Sequence, residues 1–212
     1  MISNLNRRSF LGTTGAFIAG SLLASPLASY KLANGKKIKI ALVGTGIRGT
    51  SFWGRTLVNN YSDILEFVGL CDINPGRLNY ALEFMGVDCP TFIDFGEMVK
   101  TTTPDLVIVT TMDSNHHEFI IQGLDMGCDV LTEKPLTTDE GKCQQILDAE
   151  RRSNRKLIVG FNYRWGPYMT KIKELLQEGS IGKITSVDFH WYLNTYHGAS
   201  YFRRWHGLRQ CS

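Results

Sequence analysis

The hexapeptide Gly44-Thr45-Gly46-Ile47-Arg48-Gly49 follows directly on a short β-rich run, KIKIALV, at 37–43. A strand that ends in G-x-G-x-x-G has few places to go. The first glycine permits a tight turn, the second leaves the backbone bare, and the third lets the next helix press against the sheet. Alone, the pattern also fits an ordinary strand-to-helix connection. A second apolar run at 65–71 ends in Asp72, 23 residues after Gly49. That is close to the spacing at which a carboxylate meets the ribose hydroxyls of a dinucleotide whose phosphates lie on free N–H groups at the helix start.

Further strand candidates lie at 91–93, 105–111, 129–132 and 156–160, with helical stretches at about 47–60, 75–85, 116–126 and 138–152 separating most of them. This β/α alternation predicts an α/β fold, a Rossmann-type doubly wound parallel sheet over 31–162. From Tyr163 onward the pattern changes to a helix over 167–178, a turn at 179–182 and a strand at 183–192. Residues 163–212 are therefore read as the start of a second, α+β unit.

The formal charge of +3 is carried partly by Arg7 and Arg8; residues 1–30 contain no Asp, Glu or Lys, so +1 remains beyond them. No basic field is left to attract nucleic acid or an anionic membrane. Residues 9–29 are uncharged but only weakly apolar, with small residues at 24–29. A positive head, a mild apolar stretch and small residues predict an export signal over 1–30 and no integral span once it is removed; the alternative is an uncleaved amphipathic anchor. Asn6-Arg7-Arg8-Ser9-Phe10-Leu11 looks like a twin-arginine motif, and so predicts a periplasmic or otherwise exported protein. Cys71, Cys89, Cys128, Cys143 and Cys211 are too widely spaced for a paired metal motif and odd in number, so packing thiols are expected rather than a functional disulfide. His190, His197 and His206 lack tight ligand spacing, and no metal is expected.

In Cys128-Asp-Val-Leu-Thr-Glu-Lys-Pro135 a lysine stands just beyond a buried strand, on the edge where such sheets bind ligands. At this point the chain resembles the Gfo/Idh/MocA family of nicotinamide-dependent oxidoreductases. Gly44-x-Gly46-x-x-Gly49, Cys71-Asp72, His116-x-Glu118-Phe119, Glu133-Lys134-Pro135 and Asn162-Tyr163-Arg164-x-x-Pro167 fall in the family's order across about residues 37–190.

The resemblance implies that Lys134 lies beside the nicotinamide and the reacting carbon of a sugar or polyol substrate, where a lysine can hydrogen-bond a hydroxyl and help relay its proton. Pro135 would set a fixed bend, cis being one form of it. Glu133 would orient this turn or contact cofactor, or else pair with Lys134 at the strand end. Gly44, Thr45, Gly46, Ile47, Arg48 and Gly49 would bind the pyrophosphate, with Arg48 covering it, and Thr110 and Thr111 would lie near the adenosine. Asn115, also readable as a plain N-cap, and His116, as a pocket wall, complete the cofactor set; His117 is left on solvated helix surface. Met112 and Asp113 depart from the family's common Pro-Asn.

Asp72 favours NAD over NADP because it would repel a 2′-phosphate; Arg77, five residues on, is readable as a phosphate contact or as a plain exposed first-turn arginine, and the second reading is favoured. The resemblance makes 163–212 the incomplete beginning of a substrate and oligomerisation domain, with Tyr163 and Arg164 as the substrate candidates. Seven of the chain's 23 aromatics fall in 189–206, as suits sugar stacking, sheet packing or a homo-oligomer face. The chain stops at Ser212, before the family's downstream Asp/His segment, so it is expected to be a fragment or truncated product, catalytically incomplete by itself. A glycosidase using NAD for transient oxidation and a non-catalytic sugar- or partner-binding module are the alternatives.

Overall fold

The computed structural model describes residues 36–195 together with 198 and 199. The segment 1–30 with Arg7 and Arg8, and Tyr196, His197, Tyr201, Phe202, Trp205, His206 and Cys211, lie outside the described residues.

Six parallel strands form one sheet: β1 (Ile38–Val43), β2 (Leu65–Cys71), β3 (Thr91–Phe92), β4 (Leu106–Val109), β5 (Asp129–Thr132) and β6 (Leu157–Val159). Their spatial order is β3-β2-β1-β4-β5-β6. The chain builds outward from β1 on one side, then crosses back to lay β4 against its other side. This reversal falls between β1 and β4, and sheets of this kind take ligands beyond the carboxyl ends of the strands at such a point.

Both faces of the sheet are buried, which is why the strands read as continuous apolar runs. Ile40, Leu42, Leu70, Leu106, Ile108 and Leu131 face one core, beneath α1 (Arg48–Arg55) and α3 (Pro75–Met85); α2 (Thr56–Tyr61) continues α1. Ala41, Val43, Val107, Val109 and Val130 face the other, beneath α4 (Phe95–Thr102), α5 (His116–Asp125) and α6 (Glu140–Ser153). Leu42 and Ile108 are fully buried, each worth about 1.5–3 kcal/mol of transfer energy.

Helix ends follow local chemistry. The Asn74 side chain accepts from the N–H groups of Gly76 and Arg77 at the start of α3, Pro75 takes the first helical position, and Gly86 at φ +70° closes the helix. α4 is the helix the sequence pattern left out. It is short and rich in Gly and Thr, but Asp94 caps it and Glu97 follows at the capping-box position.

One expected element is absent. Residues 184–194 form no strand, and Val187, Phe189 and Tyr192 are strongly exposed. A strand exists through its ladder of hydrogen bonds to a neighbour, and among the described residues this segment has none. α7 (Pro167–Gln177) fills the expected 167–178 and buries none of its residues.

Candidate active site

The turn after β1 is locked by backbone contact. Gly44 sits at φ +90°, and a Cβ there would lie 2.6 Å from the Thr110 carbonyl carbon and oxygen, so only glycine fits. A Cβ on Gly49 would strike the Gly44 carbonyl oxygen. At Gly46 a Cβ would meet nothing within 4 Å, which leaves open space beside bare backbone. The three glycines thus divide turn, approach and packing as the motif predicts.

Asp72 stands at the end of β2 and is 7% exposed. Its Oδ2 accepts from the Thr45 N–H at 2.8 Å and the Thr45 hydroxyl at 3.0 Å, and its Oδ1 accepts from the Asn74 N–H at 3.0 Å. The carboxylate therefore holds the glycine loop against β2 while keeping acceptor capacity for a ribose hydroxyl. Thr110 does not present a free hydroxyl: its Oγ1 bonds the Val43 carbonyl at 3.1 Å and the Gly44 carbonyl at 2.5 Å. It latches β4 to the turn. Thr111 has the opposite character, its buried hydroxyl lacking a hydrogen-bond partner among the described residues.

The centre of the site is Glu133, just past β5 and 5% exposed. Its Oε1 accepts from Arg48 Nε at 2.5 Å and from the Trp53 indole N–H at 2.7 Å, and its Oε2 accepts from the Lys134 backbone N–H at 3.2 Å. The partner of Glu133 is therefore the Arg48 guanidinium and not the Lys134 ammonium. Arg48, expected over the pyrophosphate, is held by Glu133 and by the Phe52 ring, 3.9 Å from its centroid.

Trp53 is the residue that the sequence reading missed. It is 1% exposed, and its ring lies against Gly160, where a Cβ would come 3.2 Å from Cζ2. Five residues advance an α-helix by well over one turn, which would put positions 48 and 53 on different faces. α1 is wound as a π-helix, whose hydrogen bonds run from residue i to i+5, and so both side chains reach one carboxylate oxygen. A buried Trp one turn past the third glycine was the only available signal.

Lys134 is exposed at the carboxyl edge of the sheet, and its bond to Pro135 is cis. His116 is no open pocket wall: it is 1% exposed, with Nδ1 2.9 Å from the Pro135 carbonyl oxygen and Nε2 3.2 Å from that of Thr111. Asn115 makes no side-chain cap. The 3-10 turn Asp113–Asn115 runs straight into α5 with Asn115 at φ −106°, ψ −3°, outside the extended capping geometry, and its Oδ1 accepts from the Ser114 hydroxyl instead. His117 is half-buried rather than solvated, its Nδ1 shielded and without a hydrogen-bond partner among the described residues. Ile47 is 75% exposed, and Arg77 is exposed in the first turn of α3. Tyr163 and Arg164 lie in the 3-10 turn Asn162–Trp165 beyond β6, both exposed, with the Tyr163 ring 5.2 Å from that of Trp191.

Among the described residues Cys71, Cys89 and Cys128 are buried free thiols. Burial pushes the Cys71 thiol up to about 12, with Asp72 and Asp94 adding to the rise, and burial likewise raises Cys89 and Cys128 to about 11.

The model of the GFO_IDH_MocA family, an oxidoreductase family with an NAD-binding Rossmann fold, matches residues 38–161. The chain belongs to this family. YteT of Bacillus subtilis, an oxidoreductase by name, is 40% identical over 177 residues, 82% of this chain and 41% of that protein. The inositol 2-dehydrogenase/D-chiro-inositol 3-dehydrogenase of Lactiplantibacillus plantarum is 28% identical over 77% of this chain and 47% of its own length. The crystal structure of scyllo-inositol dehydrogenase from Lactobacillus casei with bound NAD(H) and scyllo-inositol matches 71% of this chain and 44% of that one, at a TM-score of 0.64 and 28% identity. The family chain described here thus spans less than half the length of these relatives.

The residues present fit NAD. The open backbone at Gly46, the orphaned Thr111 hydroxyl and the spare acceptor sites of Asp72 lie at the ends of β1, β4 and β2. Asp72→Ala in the full-length protein is expected to weaken NAD binding by about 1.5–3 kcal/mol, the worth of a charged hydrogen-bond acceptor. Titration calorimetry reads this directly, and an unchanged Kd in a folded variant would show that Asp72 serves the loop alone.

Proposed function

We propose that the full protein carrying this chain is an NAD-dependent oxidoreductase that removes hydride from a secondary alcohol of a sugar or polyol. The observation that carries this is Lys134 at the end of β5, joined through Glu133 to the helix that follows the glycine loop. Family membership and the inositol dehydrogenases among its relatives support the substrate class.

The N–H groups at the start of α1 would hold the pyrophosphate, and Asp72 the adenosine ribose. Bound NAD supplies the hydride acceptor. The chain's own work is to place the alcohol and to move its proton: Lys134 Nζ hydrogen-bonds the hydroxyl oxygen and relays away the proton that the hydroxyl loses. Tyr163 and Arg164, exposed beyond β6, offer an aromatic face and a cation to the rest of the sugar. Residues 163–212 open the substrate domain, which also supplies a face for self-association.

Export by the twin-arginine route completes the proposal. A protein that folds around a nucleotide made in the cytoplasm must leave folded, and the Arg7-Arg8 pair belongs to the route that carries folded cargo. No helix among the described residues is long and apolar enough to cross a membrane. Changing both arginines to lysine is expected to strand the protein in the cytoplasmic fraction; unaltered export would remove this part of the reading.

For the chemistry, Lys134→Met in the full-length protein should leave the fold and NAD affinity near normal while slowing single-turnover hydride transfer by about 10²–10⁴-fold, the usual weight of a positioned acid or base. Transfer is followed as NADH formation across a panel of sugars and polyols. Near-normal transfer in a well-folded variant would reject the catalytic assignment.

A further inference from the structure

Among the described residues the Lys134 ammonium makes no hydrogen bond or ion pair, so nothing at its own tip aims it. Four rotatable bonds separate that tip from the backbone, and the direction of the side chain depends on how firmly the backbone is held. On one side the Lys134 N–H is taken by Glu133 Oε2. On the other, the carbonyl of the next residue, Pro135, is met by a buried imidazole, His116, 2.9 Å away at Nδ1. The same ring faces the Thr111 carbonyl from Nε2 at 3.2 Å. Both neighbours are carbonyl acceptors, which only a ring N–H can satisfy. The shorter contact, at Nδ1, is the one to the turn that carries Lys134.

We propose that His116 is a positioning residue for Lys134: by holding the Pro135 carbonyl to the start of α5, it fixes the turn from which the lysine reaches substrate. This rests on the reading of Lys134 given above. The two roles are 18 residues apart in sequence and are joined only by the fold. A histidine serving merely to fill space at a helix start would be indifferent to which ring nitrogen is replaced.

That difference provides the test. In an Asn side chain the amide nitrogen takes the place of Nδ1, while in Gln it reaches toward the place of Nε2. In the full-length protein, His116→Asn is expected to keep single-turnover hydride transfer within a few-fold of wild type. His116→Gln and His116→Phe are expected to lose about 10- to 100-fold, as a misplaced catalytic group does, with NAD affinity retained. A second readout needs no turnover: the acylation rate of Lys134 by an amine reagent, measured by mass spectrometry in the NAD-free protein, should match wild type in Asn and depart from it in Gln and Phe. If Phe does not fold, the Asn and Gln pair decides. Equal slowing of Asn and Gln, or no slowing in either, with unaltered Lys134 acylation, would overturn the proposal. Lys134→Met, run alongside, separates the two ideas: normal transfer there defeats the reading of Lys134, and the acylation pattern alone then judges His116.

Discussion

A single buried carboxylate holds the two halves of this site together. Glu133 leaves β5 and receives three donors, the Arg48 guanidinium, the Trp53 indole and the Lys134 N–H. A carboxylate with so little exposure is tolerable only when paired and hydrogen-bonded, and removing its partners would leave an expensive bare charge. What it secures is relative position. Arg48 and Trp53 belong to the helix that starts at the glycine loop, and Lys134 belongs to the turn beyond β5, on the far side of β4 from that loop.

The other contacts at this edge serve the same end. Thr110 binds β4 to Gly44, Asp72 binds β2 to Thr45, and His116 spans the ends of β4 and β5. Each ties loops from neighbouring strands, so the ends of β2, β1, β4 and β5 are joined in one frame. A dinucleotide is long enough to touch all of them, and a frame set beforehand reduces the ordering cost of binding it. The same rigidity suits a reaction in which hydride and proton must leave one carbon and its oxygen along fixed directions.

The sheet was legible because parallel strands buried on both faces read as apolar blocks, as at 65–71 and 129–132, and because Asn74-Pro75 and Gly86 mark the ends of α3 in plain chemistry. The motif residues Gly44, Gly46, Gly49, Asp72 and Lys134 were singled out by position along that pattern. Trp53 and the true partner of Glu133 were not, since they depend on the π-type winding of α1 and on a contact across 80 residues. His116 was singled out, but its task was hidden: a helix-start histidine looks the same whether it faces a ligand or two carbonyls. The strand expected at 183–192 shows the limit of alternation as evidence, because a pattern supplies one strand and never its neighbour.

The most direct test of this account is backbone hydrogen exchange in the full-length protein with and without NAD. A frame joined through Glu133 predicts that the nucleotide slows exchange at 44–50 and at 133–134 together, at the same NAD concentration, with Asp72 following. Protection confined to the glycine loop, with 133–134 unchanged, would contradict the claim that the nucleotide site and the lysine turn are one unit.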